Sequence, residues 1–384
     1  MATESEATKF FRILDIVKTD FTPRDAYLRE GVPTFIVHLD AETMDKTNRL
    51  AERLATENLG IIVERSGDEV VLQVVPREAV AHPTFRLAGL NLPLILFLAT
   101  IVTVTISGYY ISSDYAELLL RLQKVSPQEK PFTVWSQTAL YTITIMCVVG
   151  LHEIGHYMAA RRNGVKATLP LFIPGIPGLT LGTFGAFIRQ ERPASNRNQL
   201  FDIGISGPVV GFVIAMIASA AGYSMSLPLT EQQYDYLVGQ GMMGGAIFPP
   251  LFFLFLGSWI FPSPNAFTHV LHPLALAGWA GTLITFLNAF PVGQLDGGHV
   301  FRALLGRVWH RRLGYAMILL MFLAGWWSMA LLVLLLIRVD HPGTMDDVTP
   351  LTLRRKLLAL AFVAMFIAVF TLSPESPLTV LLFG

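Results

Sequence analysis

The 384-residue chain is 53% hydrophobic and only 15% charged, with a formal net charge of zero. That composition describes an integral membrane protein and excludes an ordinary soluble enzyme. Zero net charge singles out no polyelectrolyte partner, so no nucleic acid is expected, and the single Cys147 excludes both an intramolecular disulfide framework and a cysteine-based metal site.

Residues 1–85 read as a small soluble α+β domain, expected on the cytoplasmic side. Its first 30 residues are mixed and charged, without the apolar core of a cleavable signal peptide. PTFIVHL is a strand candidate, Asp40 is placed to cap a helix over 41–58, and strands are expected at 60–65 and 69–75 around the turn Ser66-Gly67-Asp68. His38 is simply a strand residue, and nothing here forms a catalytic set.

The rest, 86–384, reads as a polytopic membrane domain. Residues 87–113 are uncharged over 27 positions, more than the roughly 20 a spanning helix needs. Pro93 lies near the entrance of that helix, where a missing amide costs little. A polar link over 114–130 follows. The next apolar stretch begins at Pro131, carries no charge for 21 positions, and then reads LHEIGHYMAA before ending at Arg161 and Arg162. In a helix His152 and His156 are i and i+4 and share a face, with Glu153 beside them. HExxH also arises by chance on solvated helices. At membrane depth, however, an ionisable cluster is expensive and by default functional.

Residues 166–190 contain Pro170, Pro174, Pro177 and several glycines and make a poor helix; LTLGTFGAFIRQ has β character. A re-entrant or hairpin segment is expected, because non-helical backbone at membrane depth survives only where protein or a cavity surrounds it. The edge over 180–187, with Thr183 and Phe184 at its middle, can pair with an unwound substrate strand. It reads equally well as a packed structural hairpin. Between 161 and 200 six basic residues face one acid, which places the end of the metal helix on the cytoplasmic side. A second span is expected over 203–230, opening with the small-residue run GISGPVVGF, which lets helices approach closely.

From 236 to 295 there are 60 consecutive residues without Asp, Glu, Lys or Arg, closed by Asp296 in NAFPVGQLDGGH. A lone carboxylate ending such a run is a candidate third ligand. The alternative is an Asp-Gly-Gly turn at a helix end. Arg302, Arg307, Arg311 and Arg312 place this segment on the same side as the histidines. The chain between 230 and 272 must then begin and end on the opposite side, so the stretch over 242–261, interrupted by Gly244, Gly245, Pro249 and Pro250, is expected to be re-entrant or interfacial. Further apolar segments cover 313–337 and 357–374, and the sidedness of the loop between them stays open.

HEIGH, the SGP of 206–208, and NxxP followed by LDGG over 288–298 together resemble the site-2 protease family of intramembrane zinc metalloproteases. HPLALAGWAGTLITFLNAFPVGQLDGGH is most similar to the branch of chloroplast and cyanobacterial proteins named for ethylene-dependent gravitropism-deficient, yellow-green plants. Gly293 stands where many members have a second proline, and the short loop after 230 leaves no room for a PDZ-sized insertion. The resemblance implies a multi-pass protein of a prokaryotic cell membrane or a chloroplast membrane, with a catalytic core over about 131–312. Its expected activity is cleavage of single-span membrane proteins within the lipid bilayer.

His152, His156 and Asp296 would hold one Zn²⁺ per chain with a position left open. Glu153 would be the general base, and Asn288, about two helical turns before Asp296, a donor to substrate backbone or to the developing oxyanion. That asparagine serves equally well in a helix–helix hydrogen bond. His299 belongs to a helix start. Two other classes stay open: a CAAX-type membrane zinc protease, which calls for a glutamate as third ligand, and a catalytically silent scaffold, which would be expected to lack a ligand or the base.

Overall fold

A computed structural model describes residues 6–40, 42–66, 69–76, 86–87, 90–190, 194–242, 249–260, 268–336, 341, 343–344, 347 and 349–371. The chain begins with helix α1 (Glu6–Lys18), strands β1 (Asp25–Arg29) and β2 (Val32–His38), helix α2 (Thr43–Thr56), and strands β3 (Leu59–Ser66) and β4 (Glu69–Pro76). The strands form one antiparallel sheet in the order β1-β2-β4-β3. Alternation in β4 sends Val70, Leu72 and Val74 inward, where they meet Phe35 and Val37 of β2, Leu50 and Leu54 of α2 and Ile13 and Val17 of α1. These residues are a core of their own. The expected helix over 41–58 is thus Thr43–Thr56, and it starts at Glu42 rather than directly at Asp40. Asp40 acts from outside the helix: its carboxylate accepts from the Thr43 hydroxyl, the Glu42 amide and Lys46. The Lys46 ammonium above all, helped by Thr43, holds that carboxyl below the usual carboxylate range. Helix α1 escapes a reading for signal peptides, although Phe10, Ile13, Leu14 and Val17 have helical spacing. Gly67 and Asp68, of the expected hairpin turn, lie outside the described residues.

After the two-residue strands β5 (Arg86–Leu87) and β6 (Leu90–Asn91) come the long helices α3 (Leu92–Arg121), α4 (Lys130–Arg162) and α5 (Arg197–Ser224). Among the described residues these three are long and apolar enough to cross a membrane, which makes this a multi-pass membrane protein. Two boundaries differ from expectation. Helix α3 starts at Leu92 with Pro93 in its first turn and continues to Arg121, so most of the polar link is helical. Glu117 there bonds both Arg121, one turn on, and Lys130 at the start of α4. The second expected span, 203–230, is instead Arg197–Ser224, because Asn196 caps the helix through the Gln199 amide.

Between α4 and α5 strands β7 (Leu171–Pro174) and β8 (Thr183–Phe187) form an antiparallel hairpin. Its turn is fastened to the spans: Thr103 donates to the Gly182 carbonyl (2.6 Å) and Tyr141 to that of Leu181 (3.2 Å). Gly182 has φ +92°, and a Cβ there would stand 2.4 Å from the Val104 Cα, so only glycine lets the turn lie on the α3 backbone.

Beyond α5, strand β9 (Leu227–Leu229) pairs antiparallel with β10 (Thr268–Val270). The chain between them therefore leaves and returns at one place. Within it lie α6 (Glu231–Gly239) and α7 (Leu251–Ile260). The ten residues of α7 span about 15 Å, half a bilayer core. Residues 243–248 and 261–267, including Gly244 and Gly245 of the expected interruption, lie outside the described residues.

Helices α8 (Pro273–Ala289), α9 (Asp296–Leu323), α10 (Trp327–Leu336) and α11 (Leu353–Val369) complete the fold. The single apolar segment expected over 313–337 is two helices, broken where Gly325 takes φ +85°; residue 337, and 372–374 of the last segment, lie outside the described residues. Helix α5 is central. A Cβ on Gly222 would stand 2.1 Å from the Ala275 amide nitrogen, and one on Gly278 2.5 Å from that of Ser219, so α5 and α8 touch backbone to backbone.

Candidate metal centre

The HEIGH residues lie in the last third of α4, where helical periodicity turns His152, Glu153 and His156 inward while Leu151 and Ile154 face out. His152 and His156 are 3% and 6% exposed, a burial that ionisable rings tolerate only with partners. Those partners come from a second segment. Asp296 opens α9, where the unpaired amides of the first turn favour a carboxylate. Its Oδ2 is 3.0 Å from His152 Nε2 and its Oδ1 3.2 Å from His156 Nε2, and the two Nε2 atoms are 3.1 Å apart.

The two Nε2 atoms and the Asp296 carboxylate, which turns a different oxygen to each ring, mark a triangle of three groups. Tetrahedral zinc with bonds of about 2.0–2.1 Å has ligand–ligand edges near 3.3 Å, so two imidazole nitrogens and one carboxylate oxygen at this spacing fit three corners of such a site and leave the fourth open. The ring chemistry agrees. His156 Nδ1 lies 2.7 Å from the Ile203 carbonyl, which accepts only, so that nitrogen carries the proton and Nε2 offers its lone pair to the triangle. One shared proton or one cation satisfies all three groups.

Small residues make the approach possible. A Cβ on Gly207 would stand 2.1 Å from His156 Nε2, and one on Gly211 2.9 Å from His152 Nδ1. On the other arm, a Cβ on Gly297 would meet the Ala289 carbonyl at 2.0 Å and one on Gly298 the Gly293 carbonyl at 2.4 Å. The glycines fold the chain back onto the end of α8, and the aspartate is thereby set beside the histidines.

The structure brings His152, His156 and Asp296 together as the group able to hold a metal among the described residues. Glu153 is buried beside them. Asn288 is half-buried in the last turn of α8, next to the Ala289 that packs on Gly297. Thr183 is 7% exposed, and its hydroxyl donates to the Ile173 carbonyl and accepts from the Gly185 amide, so it is consumed inside the hairpin. Phe184 is 61% exposed. His299 sits at a helix start as expected, and its Nδ1 lies 2.7 Å from His341 Nε2. The carboxylate that meets the two histidines is an aspartate and not the glutamate that the CAAX-type class calls for. The small-residue run GISGPVVGF serves helix packing, as its composition implies, but Gly207 within it also clears His156 Nε2 itself. A glycine among other small residues carries no sign of which ring it faces, so only the contact with His156 reveals that role.

Gly207→Ala tests that clearance. The added methyl collides with a buried ring already tied to Ile203, so the ring must leave the triangle. Metal analysis of the purified variant is expected to find well under one equivalent of zinc, with unchanged helix content by circular dichroism. A full equivalent would show that the ring has room to give way.

A buried pair of helical histidines, a facing aspartate and an adjacent glutamate, set among membrane-length helices, define the class of HExxH metallohydrolase sites built inside a membrane domain. The chain belongs to Peptidase family M50, whose family model matches residues 140–332, half of the chain. It is 31% identical over 236 residues to "Probable zinc metalloprotease EGY1, chloroplastic" of Arabidopsis thaliana, covering 60% of this chain and 42% of that protein. With "Probable zinc metalloprotease EGY2, chloroplastic" of Oryza sativa subsp. indica it shares 27% identity over 269 residues, 68% and 45% of the two chains. "Probable zinc metallopeptidase EGY3, chloroplastic" of Arabidopsis thaliana is 27% identical over 192 residues, 47% and 32% of the two. The chain thus spans less than half the length of these curated relatives. No solved structure matches it.

Proposed function

We propose that this protein is an intramembrane zinc endopeptidase that cuts single-span membrane proteins within the bilayer. The observation that carries the reading is the approach of His152 Nε2, His156 Nε2 and the Asp296 carboxylate to within 3.0–3.2 Å of one another, with Glu153 on the same buried face. A zinc ion held there supplies a Lewis acid that acidifies water toward a pKa of ~7 and polarises a carbonyl. Glu153 takes the proton of the attacking water on its carboxylate and delivers it to the leaving amine. Asn288 binds substrate backbone near the cut. The α+β unit over 6–76 is a soluble domain on the cytoplasmic side, where the basic residues of 161–200 and Arg302–Arg312 also put the metal end of the helices. The membrane is that of a prokaryotic cell or, following the names of the relatives, a chloroplast.

A transmembrane helix keeps its amides in i to i−4 bonds, so the scissile carbonyl is shielded until the segment unwinds. Strand β8 lies at the edge of a two-stranded sheet, and its exposed Phe184 offers an unwound segment a ladder to join. The test is a pair of single-span substrates differing only in Gly-Pro or Leu-Leu in the cytosolic third. Gly-Pro costs the helix about 4 kcal/mol relative to alanines, so it is expected to be cut faster by at least an order of magnitude. Equal rates would reject the unwinding requirement. Phe184→Pro should slow both while leaving zinc content intact, and an unaffected rate would reject docking on β8. Zinc-loaded protein that cuts neither substrate would favour the silent scaffold.

A further inference from the structure

A second histidine cluster lies one helical turn from Asp296, and the chemistry above does not use it. His299 of α9 meets His341, which belongs to the connection between α10 and α11. That connection lies beyond residues 140–332 matched by the family model. The Gly343 amide donates to His341 Nδ1 at 2.9 Å. An amide N–H can only donate, so His341 Nδ1 is an acceptor and the ring proton sits on Nε2. His341 Nε2 then donates to His299 Nδ1 at 2.7 Å, which leaves the His299 proton on its own Nε2. The direction of the chain is thus set by a backbone group at its far end.

The connection is pinned to the same helix by a second bond. Arg302, 3% exposed, makes a two-pronged ion pair with Asp347 at 3.0 and 2.7 Å, and Thr344 donates to the same carboxylate. Gly343 has φ +74°, and a Cβ there would press on the Arg302 guanidinium at 2.8 Å. His310 closes the cluster with its ring 5.8 Å from that of His341, edge to face. On the opposite side Gly204 of α5 holds both ends of the first turn of α9: a Cβ there would meet His299 Cβ at 2.8 Å and the Asp296 carbonyl at 3.1 Å. His299 and Asp296 are thus packed as one unit. Among the described residues the groups able to hold a metal do not include this cluster.

We propose that His341 is a positioning residue of the metal centre: it fixes the tautomer of His299 and, through it, the first turn of α9 from which Asp296 reaches the metal. This rests on the metal-centre reading above. Partners bonded directly to a metal ligand are worth about 10–100-fold in metal affinity or activity, and His341, which acts one residue further out, is expected at the lower end of that range.

The experiment uses the full-length protein in detergent, with zinc as the probe. Zinc affinity is measured by chelator competition, and the His299 tautomer by ¹⁵N–¹H correlation of histidine-labelled protein. Wild type should show His299 protonated on Nε2 alone. His341→Leu should weaken zinc affinity by about tenfold and let His299 populate both tautomers. His341→Gln, whose side chain can accept from Gly343 and donate to His299, should restore most of the affinity; a merely space-filling role predicts the reverse order, since leucine packs at least as well. Wild-type His299 protonated on Nδ1 overturns the proposal even if neither variant folds. Unchanged affinity in His341→Leu also overturns it. Wild-type protein without zinc affinity removes the metal-centre reading itself, an outcome distinct from both.

Discussion

His156→Ala is expected to take zinc content from about one equivalent per chain to nearly none. Its Nε2 stands 3.1 Å from His152 Nε2 and 3.2 Å from Asp296 Oδ1, so it faces both other members of the group. Zinc sites in small proteins bind with roughly 10–16 kcal/mol, so losing one ligand of three forfeits about 3–5 kcal/mol, or about 10²–10⁴-fold in affinity. The loss also leaves the Ile203 carbonyl without its ring donor. Mass spectrometry of the metal bound to the purified variant, with circular dichroism to confirm the helices, makes the measurement. Retention of a full equivalent would remove His156 from the ligand set.

Glu153→Gln should do the opposite to metal and the same to activity. The side chain is buried beside the triangle without being one of its corners, and glutamine matches glutamate in size. The variant is therefore expected to fold and to hold its zinc. A glutamine cannot accept the proton of the attacking water, and general base catalysis is typically worth 10²–10⁴-fold. Cleavage of the Gly-Pro substrate should fall by that factor. Near-normal cleavage would end the assignment of Glu153 as base, while loss of zinc would make it a ligand. Substrate-trapping with the same variant, by comparing membrane fragments from cells carrying it or wild type, is the direct route to natural substrates.

How far the fold can be read in one dimension follows the range of the interactions involved. Uncharged runs announce membrane helices because the bilayer penalises each charge independently of its neighbours, and α3, α4 and α5 follow. Their ends are less legible. The cap at Asn196 and the Glu117 bonds to Arg121 and Lys130 shift boundaries by several residues, and such bonds depend on what lies nearby. The break at Gly325 is hidden because one apolar run and two look alike in composition. The β7–β8 hairpin is legible from prolines and glycines, but the fate of Thr183 is not: a threonine on a strand gives no hint that its hydroxyl will bond across the hairpin.

The chemistry is written in the order of the residues. HExxH places two imidazoles and a carboxylate on one helical face through a fixed covalent spacing, and a lone aspartate after a long uncharged run names its own partner. Whether those partners meet is a matter of packing. Residues 152 and 296 are 144 positions apart, and what joins them is the absence of side chains at Gly207, Gly297 and Gly298, whose value lies wholly in what each would otherwise strike. The bond between His299 and His341 is likewise invisible in one dimension. Spacing along a helix is local geometry and can be counted, whereas close approach between helices is a property of the packed chain.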